Sequence, residues 1–403
     1  MDLLIYIAGA VVFFGLVMAS IALHEIGHLV PGKLFNVKIT EYFVGFGRKL
    51  WARRRGETEY GVKAIPVGGY VRLVGMFPPA KDHPGQVRAY GTGPFRALAD
   101  NARAVEWSAI RPEDEGRLFY EKPFWQKLII MASGPAMNIF LAFVILLGVS
   151  VTYGVYRSQL TISKVQECIV VANAADQSCA GKPPTPAAQS GIQPADKIVA
   201  FNGTPVSSWD DVSRLIRANL DQQAVVTVER GGQTLNLKPV DTVITGVPDR
   251  YDPSKRVAAG FFGVEPEIVR QRGGPVAVIG DMWQMTKQTV VALAYFPVKV
   301  FYTGYNLVTG KPRDVYGPMS IVGASRAAGE IAATNQISPA AKLASLFTVL
   351  GSVNLFVALF NFVPLLPLDG GHVAAAMYEA IRRSLARIFG RPDPGHVDTA
   401  RLL

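Results

Sequence analysis

The chain has 403 residues, 49% of them apolar, with a formal net charge of +10 and two cysteines. That length holds two or three domains, and the positive mean hydropathy argues against an ordinary soluble protein. Cys168 and Cys179, with no histidine near them in the chain, exclude a cysteine-type zinc site.

The first element is an uncharged run over 3–23, long enough to cross a bilayer. It is not a typical secretory signal, because only Asp2 precedes it and no small-residue cleavage site follows. It leads into His24-Glu25-Ile26-Gly27-His28. On a helix, positions i and i+4 share a face, so His24 and His28 can grip one ion while Glu25 reaches a water beside it. That is the zinc-peptidase pattern of two ligands and a general base. Ionisable groups at membrane depth are costly and point to function. Pro31-Gly32 is expected to stop the helix.

Residues 41–51 are aromatic and glycine-rich, and Arg53, Arg54 and Arg55 follow. Residues 59–76 alternate and carry β-branched side chains around Pro66 and Gly68-Gly69, which predicts a hairpin. Two placements stay open for it: a cytoplasmic surface, or a hairpin dipping into the membrane beside the histidines. A polar loop with one short helix is expected over 78–122. The second apolar run, 128–153, holds Gly134-Pro135-Ala136-Met137-Asn138, where small residues allow close helix approach. Asn138 either packs between helices or faces the metal cavity.

The outer region begins near Gln159. It contains a stiff loop at 183–186, a small-residue helix before Gly191, a strand over 198–201, an Asn202-Gly203 turn, a helix over 209–219 and a hairpin across Gly231-Gly232. This pattern resembles a PDZ domain of the bacterial protease type, with Ala195 where a glycine is usual. The resemblance implies peptide binding by strand addition; a passive plug or spacer is the alternative. Cys168 and Cys179 form either a disulfide or two free thiols. Residues 280–305 are apolar but broken by Lys287, Pro297 and Lys299, which suits an amphipathic helix on the outer membrane surface. Gly317-Pro318 leads on towards the third apolar run, 343–368.

Basic residues crowd the loop after the first run, precede the second (Arg117, Lys122, Lys127) and follow the third (Arg382, Arg383, Arg387, Arg391). By the positive-inside rule these segments are cytoplasmic and the stretch from about 155 to 340 lies outside. The charge is therefore a topology signal, with some attraction to anionic lipid, and not a nucleic-acid footprint.

A catalytic zinc site needs a third protein ligand. Asp369, closing Asn361-Phe362-Val363-Pro364-Leu365-Leu366-Pro367-Leu368-Asp369-Gly370-Gly371-His372, comes to the same membrane depth as the histidines under this topology. His372 is the rival, and a turn or helix-cap role is the plain alternative for Asp369. His83 and His396 lie in polar segments and are expected to be solvated.

Together, residues 24–28, 134–138, the PDZ-like segment and 361–371 resemble the site-2 protease family of intramembrane zinc metalloproteases, in the bacterial branch similar to the regulator-of-sigma-E protease, and in an actinobacterial form. The resemblance covers nearly the whole chain. It implies Zn2+ held by His24, His28 and Asp369, with Glu25 as catalytic base. It implies that Asn361 contacts substrate backbone and that the hairpin around Gly68, Gly69 and Tyr70 offers an edge strand within the membrane. Asn138 is grouped with them as substrate-binding.

The expected fold is a polytopic α-helical membrane protein with three visible spans, a membrane-associated β-hairpin and an extracytoplasmic α+β PDZ domain. The family's fourth helix is expected after the Asp motif but has no counterpart before Leu403: either the sequence is truncated or that helix is missing. The segments divide into 1–30, first membrane helix; 31–125, hairpin and loop; 126–154, second helix; 159–245, PDZ domain; 246–340, post-PDZ region with an amphipathic helix; 341–369, third helix; and 370–403, cytoplasmic tail. The resemblance implies an inner-membrane enzyme that cuts single-span membrane proteins, such as anti-sigma factors, after a first outer cut, with lipid and a PDZ-bound peptide as further partners and no nucleic acid. A membrane PDZ scaffold and a zinc carrier are the competing classes. Neither needs a base between the two histidines, which is why Glu25 discriminates.

Overall fold

The computed structural model describes residues 2–76, 78, 110–169, 178–248, 256–310 and 319–397. Most of the loop expected over 78–122, with His83, and the Gly317-Pro318 approach to the third run lie outside the described residues. The chain divides into two units, one of 1–149, 274–296 and 319–403, the other of 150–273 and 297–318. In order it forms α1 (Asp2–Leu34), β1 (Ile39–Arg55), β2 (Thr58–Leu73), α2 (Phe124–Thr152), β3 (Val155–Val165), α3 (Pro186–Ser190), β4 (Lys197–Phe201), α4 (Trp209–Ala218), β5 (Val226–Arg230), β6 (Gln233–Asn236), β7 (Val243–Pro248), β8 (Arg256–Phe261), β9 (Val264–Gln271), α5 (Pro275–Ala294), α6 (Phe296–Val308), α7 (Ile321–Ala333), α8 (Pro339–Asn361) and α9 (Asp369–Ile388).

In the first unit, three helices are long and apolar enough to cross a membrane: Leu3–Leu34, Phe124–Thr152 and Pro339–Asn361. The protein is thus polytopic. α1 runs past the expected stop, because Phe35 N–H bonds Pro31 O and Val37 N–H bonds Gly32 O, closing the last turn around the proline. β1 and β2 are long antiparallel strands whose register doubles back. Residues 41–44 of β1 pair both with 59–62 and with 69–72, so 69–73 forms an outer edge. The bend at Gly45 (φ +91°) needs glycine, since a Cβ there would meet the Lys63 and Ile65 carbonyls at 2.9 Å. Val37, Ile39, Leu73, Phe119, Ile130 and Met131 bury the base of this hairpin against the start of α2.

Two expectations are corrected. Residues 280–305 are not one surface helix. They break at Tyr295, and the first part, α5, buries Val278 and Met282 with Ala142, Leu146 and Leu355 of α2 and α8. The lysines that suggested an interface lie on its outer side or beyond it. Within the segment 370–403, residues up to Ile388 form α9, whose buried side is Gly370, Gly371, Ala375, Ala376 and Glu379. His396 is only partly solvated, being held by Glu379 and packed edge-on to Tyr120. α7 had no counterpart in the sequence reading. Its Ala324 and Ala328 pack against Phe13 and Val17 of α1, and its small residues allow a close crossing at Gly9.

The second unit is built on a sheet of order β9-β3-β4-β5-β6. Its core is Ile162, Ile198, Phe201, Val212, Val226, Val228 and Phe262. The compact unit is wider than 159–245, because β9 returns to pair with β3 (Arg157 opposite Val269), a pairing with no local sequence signature. Ser208 caps α4 by accepting from Asp211 N–H. Cys168 and Cys179 are disulfide-bonded. Asp196, 1% exposed, takes Arg230 Nε and a terminal guanidinium nitrogen at 2.7 Å each and Gln193 N–H at 2.8 Å. Burial pushes its carboxyl up, but the Arg230 hydrogen bonds and charge outweigh this and hold it below the usual carboxylate range.

Candidate metal centre

Two glycines allow the site to form. A Cβ on Gly27 of α1 would lie 2.6 Å from Ser133 O, and one on Gly134 of α2 would lie 2.1 Å from His28 Nε2. The helices can therefore approach only because both residues lack side chains, and His28 fills the space at Gly134. Its Nδ1 donates to Ile130 O at 2.7 Å. A carbonyl can only accept, so this bond puts the proton on Nδ1 and leaves the Nε2 lone pair facing inward.

His24 Nε2 lies 3.2 Å from His28 Nε2. Asp369 Oδ2 lies 3.3 Å from both nitrogens. The two histidines are 7% and 5% exposed. Among the described residues, His24, His28 and Asp369 are the one group of three such side chains whose ligand atoms converge. Lone pairs facing one another at this spacing repel unless a cation sits between them. A tetrahedral ion with bonds of about 2.05 Å sets its ligands roughly 3.3 Å apart, since a tetrahedron's edge is about 1.63 times the bond. The observed triangle has that edge, so the three residues fit a zinc ion.

Asp369 opens α9 after an irregular stretch, 362–368. A Cβ on Gly370 would lie 2.4 Å from Val363 O, and one on Gly371 2.7 Å from the Leu365 carbonyl carbon. The Asp-Gly-Gly sequence is thus what lets the helix start tuck under this stretch. His372 does not join the triangle. It lines a cavity of about 20 Å³ with Lys127, Glu379 and Tyr120 among others.

Glu25 lies within electrostatic range of His24, His28 and Asp369, and Val71 N–H bonds its carboxylate. Gly69 stands against it, a Cβ there reaching to 3.0 Å from Glu25 Cγ. The outer edge of β2 therefore runs beside the candidate base. Gly68 (φ +132°) sits against the Phe46 ring. The Tyr70 phenol donates to Glu41 and accepts from Lys63 Nζ at 2.6 Å, so it is already engaged within the hairpin. Asn138 follows Gly134 by one turn on the same face and is 2% exposed; its Oδ1 lacks a partner among the described residues. Asn361 closes α8, eight residues before Asp369.

Four contributors escaped the sequence reading. The Ile130 carbonyl is backbone and has no residue signature. Asn354 Nδ2 reaches Ser20 Oγ (3.2 Å), one turn before His24, and could have been suspected as a polar residue within a span. Lys127 and Glu379 form a buried pair at 2.9 Å between α2 and α9. Burial raises the Glu379 carboxyl, but hydrogen bonds from His396 and Val397 N–H and the charge of Lys127 outweigh it and hold it at about 2.

Residues 12–389 match the family model described as peptidase family M50. Among similar proteins, zinc metalloprotease Rip1 of Mycobacterium tuberculosis is 30% identical over 418 residues, covering 99% of this chain and 93% of that protein. Zinc metalloprotease Rip1 of Mycolicibacterium smegmatis is 30% identical over 414 residues, covering 98% and 91%. Metalloprotease MmpA of Caulobacter vibrioides is 27% identical over 380 residues, covering 90% and 84%.

Proposed function

Because this chain belongs to peptidase family M50 and is a zinc metalloprotease of the site-2 type, we propose that His24, His28 and Asp369 hold its zinc and that Glu25 is the base of an intramembrane peptide hydrolysis. The observation that carries the reading is the triangle of acceptor atoms 3.2–3.3 Å apart. Zinc, when bound, supplies a Lewis acid that polarises a peptide carbonyl and acidifies water. Glu25 takes the proton of the attacking water and delivers it to the leaving amine.

The substrate is a single-span membrane protein. A membrane helix shields its peptide bonds with its own hydrogen bonds, so it must unwind, and the freed groups need partners in a dry setting. The outer edge of β2 around Gly68, Gly69 and Tyr70, beside Glu25, offers those partners by strand addition, with Asn361 and Asn138 as additional amide contacts. On this reading the hairpin lies within the membrane. The second unit acts as a PDZ-type module outside an inner membrane, supported by the basic loops that flank the spans. It excludes substrates with bulky outer domains until a first outer cut trims them, with an extended peptide as its ligand, and anti-sigma factors suit that order of events.

The test is cleavage of a single-span substrate by the full chain in vesicles, with and without a zinc chelator, the products sized by mass spectrometry. A chelator-sensitive cut within the span supports the proposal. Cuts confined to soluble segments, or indifferent to chelation, refute it.

A further inference from the structure

The Lys127–Glu379 pair is absorbed by no step above. The two side chains are 6% and 10% exposed, come from elements 252 residues apart and meet at 2.9 Å. Lys127 stands in the first turn of α2. Ile130, whose carbonyl fixes His28, follows three residues later on the same face, about 4.5 Å along the axis. The opening of α2 therefore grips α1 through His28 and α9 through Glu379. The other buried residues of α9, Gly370, Gly371, Ala375 and Ala376, offer only small apolar contacts, which have no direction. Glu379 is held from other sides by Val397 N–H (3.0 Å), His396 Nδ1 (3.2 Å) and Arg383 (3.5 Å).

Buried ion pairs are poor evidence for stability, and their best-attested use is to fix register. Glu379 lies ten residues beyond Asp369, about 15 Å along α9. A tilt of about 4° around Glu379 would carry Asp369 roughly 1 Å, several times the ~0.2 Å a metal–ligand bond tolerates.

We propose that Lys127 and Glu379 are positioning residues that set the register of α9 on α2 and so aim Asp369 at the zinc held by His24 and His28. The proposal rests on the ligand assignment made above. The pair acts at a distance and touches neither substrate nor metal.

The test uses the full chain purified from membranes. The double variant Lys127→Met/Glu379→Met removes both charges together, so no unpaired charge is left buried. Three readouts apply: zinc affinity by chelator competition, the visible absorption of the cobalt-loaded protein, and kcat against KM. The double variant is expected to melt as the wild type does, yet bind zinc at least tenfold more weakly, show an altered cobalt band and lose kcat at unchanged KM. Lys127→Arg, which keeps the charge, is expected to stay within threefold of wild-type zinc affinity. A folded double variant with wild-type zinc affinity and cobalt band overturns the proposal. If the double variant does not fold, Glu379→Asp decides, since it keeps the charge but draws the carboxylate back by one methylene: weaker zinc binding is expected, and unchanged binding overturns. His24→Ala separates the two levels, because zinc retained there would sink the ligand assignment whatever Lys127 and Glu379 do.

Discussion

Gly134→Ala is the sharpest perturbation of the site. The new Cβ would lie 2.1 Å from His28 Nε2 and 2.5 Å from its Cε1, whereas ordinary contact begins near 3.4 Å. Something must move by more than 1 Å. His28 cannot turn aside freely, because its Nδ1 is bound to Ile130 O, one turn from Gly134 on the same helix. If the ring leaves, that bond and one zinc ligand go with it. If α2 backs away instead, the Gly27 contact with Ser133 and Gly134 opens and the triangle widens. Metal–ligand distances tolerate about 0.2 Å, and loss of an orienting partner alone costs 10–100-fold in metal affinity. Zinc affinity should therefore fall at least about 100-fold, roughly 3 kcal/mol. Gly148→Ala is the control on the same helix, since its Cβ meets nothing within 4 Å. It should leave zinc affinity unchanged and add about 0.5–1 kcal/mol of helix stability. Chelator competition and thermal melting of both variants read this out. A folded Gly134→Ala protein binding zinc like the wild type would refute the close-approach reasoning.

Glu25→Gln should keep zinc bound but lose cleavage by about 10²–10⁴-fold, the usual worth of a general base; wild-type turnover by this variant removes Glu25 from the mechanism. In the second unit, Asp196 is held below its usual range, so its stabilisation is present above the unfolded value near 4 and fades as pH falls below it. Hydrogen-exchange protection of the Ile162 amide, which bonds Asp196 O at 2.8 Å, should decline below about pH 4. Asp196→Asn should lose about 2 kcal/mol near neutrality and flatten that decline, and an unchanged acid profile would show that another group is responsible. Ala195 carries φ +73°, where a side chain costs about 1–2 kcal/mol. Ala195→Gly should relieve this, less about 0.4–1 kcal/mol of added chain entropy, and raise protection at the same amide; lower protection would mean that the residue is not strained.

What the sequence could reveal follows from range. The HExxH motif was legible because its geometry is local: four residues on one helix place both imidazoles. Asp369 was reachable because membrane depth and orientation limit which acid can meet them. The long edge beside Glu25 was foreshadowed by Gly68-Gly69, although that the Tyr70 phenol is spent on Glu41 and Lys63 was not. Contacts that depend on a backbone atom or on distant pairing stayed hidden. Ile130 contributes a carbonyl, β9 returns to β3 across a hundred residues, and Lys127 meets Glu379 across 252. α9 also stayed hidden, because its buried side is made of residues too small to give an apolar stripe.

The most direct test is the zinc stoichiometry of the full-length chain measured beside that of Asp369→Ala, each purified without added metal. One ion per chain is expected in the first and less than about a tenth of that in the second, since losing one of three protein ligands opens the site. Equal loading of the two proteins would contradict a centre shared by the opening helix and the start of α9.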